Sequence, residues 1–249
     1  MPVRAQSRVS RRRRHLLELG VRHGAIALWV ALISTHASAQ ISGSVSLVSD
    51  YRYRGVSLSH GDPAAQIAVA YDDAQGWYAG AFASTVRLAA PSSRGAQGIA
   101  FVGYAKQLPS GVSFEVGADY AAFTGARGYD YPEAYCGFAF ENVSGRLYYA
   151  PRYFGSDGGA VYGELNGAQR INDRVRLLAH GGILQITGGN PYNGWPDHRV
   201  FDARAGVGID FEPFNVQVSW VGISAASAAY PITGTRSRNG VVLTLSRSF

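Results

Sequence analysis

The sequence predicts an all-β fold, an antiparallel transmembrane β-barrel of about 12 strands that follows a cleaved export segment. Three observations predict it. Segments of about 9 to 12 residues alternate apolar and polar side chains with the period of a pleated strand. Compact turn signals alternate with longer polar or Gly-rich stretches along the chain. An Arg-rich and then apolar N-terminus directs the chain out of the cytoplasm.

Residues 1–39 read as a signal peptide. The first 23 are Arg-rich, "GAIALWVALI" (24–33) is an apolar run, and Ala37-Ser38-Ala39 fits a small-x-small cleavage site. The run is shorter than the roughly 20 apolar residues a transmembrane helix needs, which disfavours an uncleaved anchor. "RRRRHLL" (11–17) is a faint twin-arginine pattern, but that route exports folded proteins and a membrane barrel must travel unfolded. Residues 40–249 then form one domain, the barrel.

Charge follows this division. The chain holds 23 Lys and Arg and 17 Asp and Glu; seven of the former and one of the latter, Glu18, precede residue 40, leaving 16 of each. The mature chain is therefore neutral, and no basic nucleic-acid footprint remains. The single Cys136 excludes an internal disulfide and fits no zinc-ligand spacing. No cofactor or metal is expected.

Five compact turns punctuate the barrel region: "DDAQG" (72–76), "LPSG" (108–111), "ENVSG" (141–145), "RIND" (170–173) and "DFEPFN" (210–215). Longer stretches lie between them at 52–63, 87–97, 124–132, 151–159, 186–198 and 224–237. Short turns on the periplasmic side and long loops outside are the expected pattern of an outer-membrane barrel.

The strands show one apolar and one polar face. Phe114, Val116, Ala118 and Tyr120 alternate with Ser113, Glu115, Gly117 and Asp119. Phe201, Ala203, Ala205 and Val207 alternate with Asp202, Arg204, Gly206 and Gly208. Leu177 and Ile183 oppose Arg176 and His180, with Leu178 and Leu184 blurring the polar face. Val216, Val218 and Trp220 alternate with Gln217 and Ser219, and Val241, Leu243 and Leu245 with Thr244 and Ser246.

A soluble sandwich also has one apolar and one polar face. Strand length, the export segment and aromatics near strand ends favour the membrane. Trp77, Tyr78, Tyr51, Tyr53, Tyr148, Tyr149 and Trp220 are expected in an interfacial girdle. The mean hydropathy of −0.05 fits a wall with one polar face.

The expected pore-lining residues are Asp50, Arg52, Arg54, Glu115, Asp119, Arg146, Glu164, Arg176, Asp202 and Arg204; Lys106, Arg174 and Asp210 are expected to face inward with them. In "VSDYRYRG" (48–55), Tyr51 and Tyr53 are expected at the outer interface, with Asp50, Arg52 and Arg54 at the lumen or its mouth. Such charges either prop the interior or form an eyelet that selects solutes.

The segment 43–84 resembles the opening of the TorF-type porin family. The match runs through Ser49 to Gly55, then Gly61, Asp62, Pro63, Ala64, Gln66 and the Trp77-Tyr78-Ala79-Gly80 strand. "YYAPRYFG" (148–155) resembles the family more loosely, and "VVLTLSRSF" (241–249) resembles an outer-membrane assembly signal ending in Phe249. The resemblance implies a Gram-negative outer-membrane barrel and suggests a pore, with no catalytic residues. Loop 87–97 lacks the acidic character expected of the family, and Cys136 sits in a strand.

The function expected is that of a narrow porin for passive diffusion of small polar or charged solutes. Its partners would be the lipid bilayer, lipopolysaccharide, the barrel assembly machinery and those solutes. A non-conducting structural or adhesive barrel is the alternative. An outer-membrane phospholipase needs a His-activated Ser. The mature His residues, His60, His180 and His198, form no His-x-Ser pair on a lipid-facing strand.

Overall fold

The computed structural model describes residues 40–88, 94–155, 158–187, 199–224 and 239–249. Residues 1–39, expected as the export segment, lie outside them, as do 89–93, 156–157, 188–198 and 225–238, which hold most of the expected loops 186–198 and 224–237 and parts of 87–97 and 151–159.

The pleat and the turns together set the strands. They are β1 (Gln40–Val48), β2 (Arg52–Tyr53), β3 (Val56–Ser57), β4 (Ala64–Asp72), β5 (Trp77–Val86), β6 (Gly95–Gln107) and β7 (Ser113–Phe123). Then come β8 (Tyr131–Phe140), β9 (Val143–Ala150), β10 (Gly159–Arg170), β11 (Val175–Thr187), β12 (Arg199–Phe211), β13 (Phe214–Ile223) and β14 (Asn239–Ser248). Twelve of them close an antiparallel barrel, in the order β1-β14-β13-β12-β11-β10-β9-β8-β7-β6-β5-β4. β2 and β3 pair only with each other.

The five compact turns join β4 to β5, β6 to β7, β8 to β9, β10 to β11 and β12 to β13, so they share one end of the barrel. The chain's first and last strands close it, with Ser44 opposite Ser248 and Val48 opposite Thr244. Gly43 and Phe249 exchange both backbone hydrogen bonds at 3.0 Å. Among the described residues every wall strand is paired on both sides, as a hydrocarbon environment requires.

The apolar face of every quoted alternation turns outward. Val116 is 58 % exposed and Leu165 57 %, whereas Glu115 is 6 % and Gln217 3 % exposed. A belt of exposed aliphatic and aromatic side chains around a closed barrel is a surface only lipid covers. Trp77, Tyr149 and Trp220 stand on this belt as expected. Lys106 does not face inward. It is exposed and lies directly opposite the outward Phe114, and opposed residues share a face. Arg174 is also exposed, in the turn between β10 and β11.

Four of the expected girdle tyrosines are corrected: Tyr51, Tyr53, Tyr78 and Tyr148 are buried inside the barrel. For Tyr78 and Tyr148 the strand register places the ring on the inner face, beside the outward Trp77 and Tyr149. For Tyr51 and Tyr53 the cause is the path of the chain. Ser49 is the last residue tied to β14, through backbone and Oγ bonds to Leu243 at 2.9 Å. Beyond it the chain leaves the wall and folds into the lumen. The stretch 52–63, expected as an external loop, contributes the interior hairpin β2–β3 with Val56 and Leu58 buried. Leu178 and Leu184 also face inward, at 4 % and 2 % exposure.

Candidate functional site: the barrel interior

Asp50 organises the base of the inserted hairpin. Its Oδ2 accepts from Arg52 Nε at 2.6 Å, and its Oδ1 accepts from the hydroxyls of Ser57 and Ser59. Tyr51 N donates to Ser59 Oγ at 2.9 Å, and Tyr51 Oη to Gln97 on β6 at 2.7 Å. The hairpin turns on Arg54 and Gly55, with φ of 48° and 80°. Two consecutive positive φ values match the twist of a tight two-residue hairpin. A Cβ on Gly55 would stand 2.7 Å from Asp202 Cβ and 3.0 Å from Ile223 Cβ, so only glycine lets the tip press this close to the wall.

The side chain of Arg54 crosses to the far wall. Its Nη2 bonds Glu133 on β8 at 2.6 Å, and Nη1 donates to Tyr153 Oη at 3.3 Å. Its guanidinium lies 4.3 Å from the ring centre of Tyr162, 5.0 Å from those of Tyr53 and Tyr148, and 5.6 Å from that of Tyr153. A planar cation stacks on aromatic faces while its N–H groups serve a carboxylate. Arginine therefore suits this place better than lysine.

A second cluster belongs to the wall alone. Arg146 on β9 grips Glu115 on β7 through both Nε and Nη2, the latter at 3.0 Å. Tyr78 Oη donates to Glu115 Oε2 at 2.7 Å and lies 2.9 Å from Tyr135 Oη. Tyr135 also presents its ring to Arg146 at 4.9 Å. Toward the short-turn end, Arg176 pairs with Asp210 at 3.2 Å, and Asn215 supports the same carboxylate at 2.8 Å.

Between the hairpin and β10–β12 lies a cavity of about 40 Å³, lined by Arg54, Asp119, Glu164, His180, Asp202 and Arg204 among others. That is room for about three waters. Asp202 is held by His180 Nε2 at 2.8 Å and by Tyr162 Oη at 3.1 Å, and His180 Nδ1 meets Asn166 at 2.7 Å. The partners of His180 are thus a carboxylate, an amide and a phenol, with no serine among them.

All ten side chains expected at the lumen lie on the inner face or on the inserted hairpin. The structure divides them: Glu115 and Arg146 form one group, Arg176 stands with Asp210, and the rest surround the hairpin and cavity. Glu133 was not among the expected residues. It follows directly on the expected loop 124–132, and Tyr131, Glu133 and Tyr135 alternate onto one face.

A closed antiparallel barrel with an outward apolar belt and a charged, hydrogen-bonded interior has the architecture of an outer-membrane β-barrel. The chain belongs to the bacterial family of unknown function Gcw_chp, whose model matches residues 34–249. Among solved structures it is similar to the NanC porin, at 12 % identity and a TM-score of 0.55, over 84 % of this chain and 99 % of that one. The KdgM porin matches with a TM-score of 0.49 and 9 % identity, over 85 % of this chain and 98 % of that one. The outer membrane channel DcaP of Acinetobacter baumannii matches with a TM-score of 0.45 and 10 % identity, over 86 % and 97 %. No curated protein matches the sequence significantly.

Proposed function

We propose that the protein is a narrow porin for passive diffusion of small polar or charged solutes, and not an enzyme. One observation carries the reading: Asp119, Glu164 and Arg204 face the cavity with no hydrogen bond or ion pair among the described residues. An ionised group kept dry and unpaired costs several kcal/mol; a carboxyl can avoid that cost by taking up a proton but a guanidinium cannot, so Arg204 above all calls for water in the bore. The inserted hairpin narrows that bore, and its Arg54 cage holds it in place. The TorF-type motif, carried largely by this hairpin, supports the same reading.

The short-turn end would face the periplasm, and Phe249 would be read by the barrel assembly machinery before the belt meets lipid and lipopolysaccharide. Deleting Phe249 is expected to lower the yield of heat-modifiable folded barrel. Planar-bilayer recording tests the channel itself: small, uniform steps are expected. The second reading, an occluded structural or adhesive barrel, is favoured by the aromatic filling around the hairpin. It predicts a folded protein that gives no steps.

A further inference from the structure

We propose that the cavity selects small dipolar solutes that carry both an ammonium and a carboxylate, the chemistry of a free amino acid. The inference rests on the channel reading and names its solute class.

The charges facing the cavity divide into two sets. Arg54, Arg52 and Asp202 are satisfied within the protein, by Glu133, by Asp50, and by His180 with Tyr162. Arg204, Glu164 and Asp119 are not, among the described residues, so they are the groups that meet a solute. Their places follow from the strand order. Arg204 is on β12 and Glu164 on β10, with one strand between and a two-residue offset along it, which puts their backbones about 12 Å apart along the wall. Asp119 is on β7, five strands from β12 in a ring of twelve, almost across the lumen.

A guanidinium on one wall and carboxylates beside and across from it set a transverse field. A simple anion meets Arg204 but is opposed by the two acids. A simple cation meets the acids but is opposed by Arg204. A neutral solute displaces water from all three and replaces none of those contacts. A dipolar solute lying across the bore satisfies both signs, as electrostatic complementarity demands. Size agrees: about three waters occupy roughly 90 Å³ of liquid, the space of about five heavy atoms. Glycine is a solute of that size.

Uptake into proteoliposomes tests the inference with solutes of matched size: glycine, glycolate, ethanolammonium and glycolamide. The wild type is expected to pass glycine roughly fivefold faster than glycolamide, and faster than either ion, a factor typical of one solvated ion pair. Arg204→Gln should remove that advantage and make ethanolammonium the fastest. Glu164→Gln with Asp119→Asn should move the preference to glycolate. Arg204→Lys, which keeps the cation, should retain the order of the wild type and guards against a general folding defect. Equal rates for all four, or ethanolammonium fastest in the wild type, would overturn the solute class and leave the channel standing. Folded barrel that passes none of the four would overturn both.

Discussion

The two arginine clusters of the interior use the same chemistry in different frames. Arg146 and Glu115 stand on wall strands β9 and β7, so their pairing is fixed by the ladders that close the barrel. Arg54 and Glu133 join the wall to a hairpin that pairs only with itself. Each guanidinium is buried, each grips one carboxylate, and each lies over tyrosine rings. The difference lies in what happens if the contact breaks. The wall cluster can release only by disturbing the barrel. The hairpin segment is held by fewer ties, among them Arg87 N to Leu58 O at 2.7 Å and Tyr51 Oη to Gln97 at 2.7 Å, and none of the wall ladders runs through β2 or β3. Similar local bonding thus sits within the continuous wall ladders in one place and on a separate two-stranded element in the other.

Breaking the wall pair should produce the largest effect. Glu115→Ala leaves Arg146 buried without its carboxylate, and removing one partner of a buried pair costs about 3–5 kcal/mol. Urea unfolding of the refolded barrel should show that loss. A change below about 1 kcal/mol would mean that water already screens the pair.

Gly55→Val attacks the hairpin and spares the wall. The substitution places a branched side chain at φ 80° and against Asp202 and Ile223, a strain of about 1–3 kcal/mol on the inserted form alone. The hairpin should leave its seat. Trypsin added to folded barrel should then cleave at Arg52 or Arg54 in the variant and not in the wild type. Resistance in both would place the two clusters in the same static class.

Arg54→Lys sharpens the comparison further. It keeps the charge near Glu133 and loses the planar stacking on tyrosines, a cost of about 1 kcal/mol. Trypsin sensitivity intermediate between wild type and Gly55→Val is expected. The outward aromatics should matter least to the lumen. Trp77→Ala or Tyr149→Ala should weaken insertion by about 1 kcal/mol and leave solute uptake unchanged.

The wall was legible because lipid and pleat impose one rule on every strand. Phe114 and Val116 face out and Glu115 faces in wherever the chain belongs to the barrel. The turns before Trp77, Ser113, Val143, Val175 and Phe214 carry their own residue signals. The hairpin was not legible, because alternation reports two faces without saying what covers them. In "YRYR" both faces are covered by protein, and Tyr51 is as buried as Arg52. Lys106 misled for a related reason. A charge on the outward face at a strand end can extend toward the headgroups, so polarity alone did not fix its side. The charges of the cavity could be named from sequence, but which of them lack a hydrogen bond or ion pair among the described residues could not. That depends on which strands the barrel brings near β12.

In the proposed channel, residues 49–61 fold inward and set a narrow water-filled bore. Single-channel recording of the wild type beside Gly55→Val tests it most directly. Small, uniform steps in the wild type and larger steps in the variant, from equally heat-modifiable folded protein, are the result expected. Steps of equal size in the two proteins, or silence in both, would contradict it.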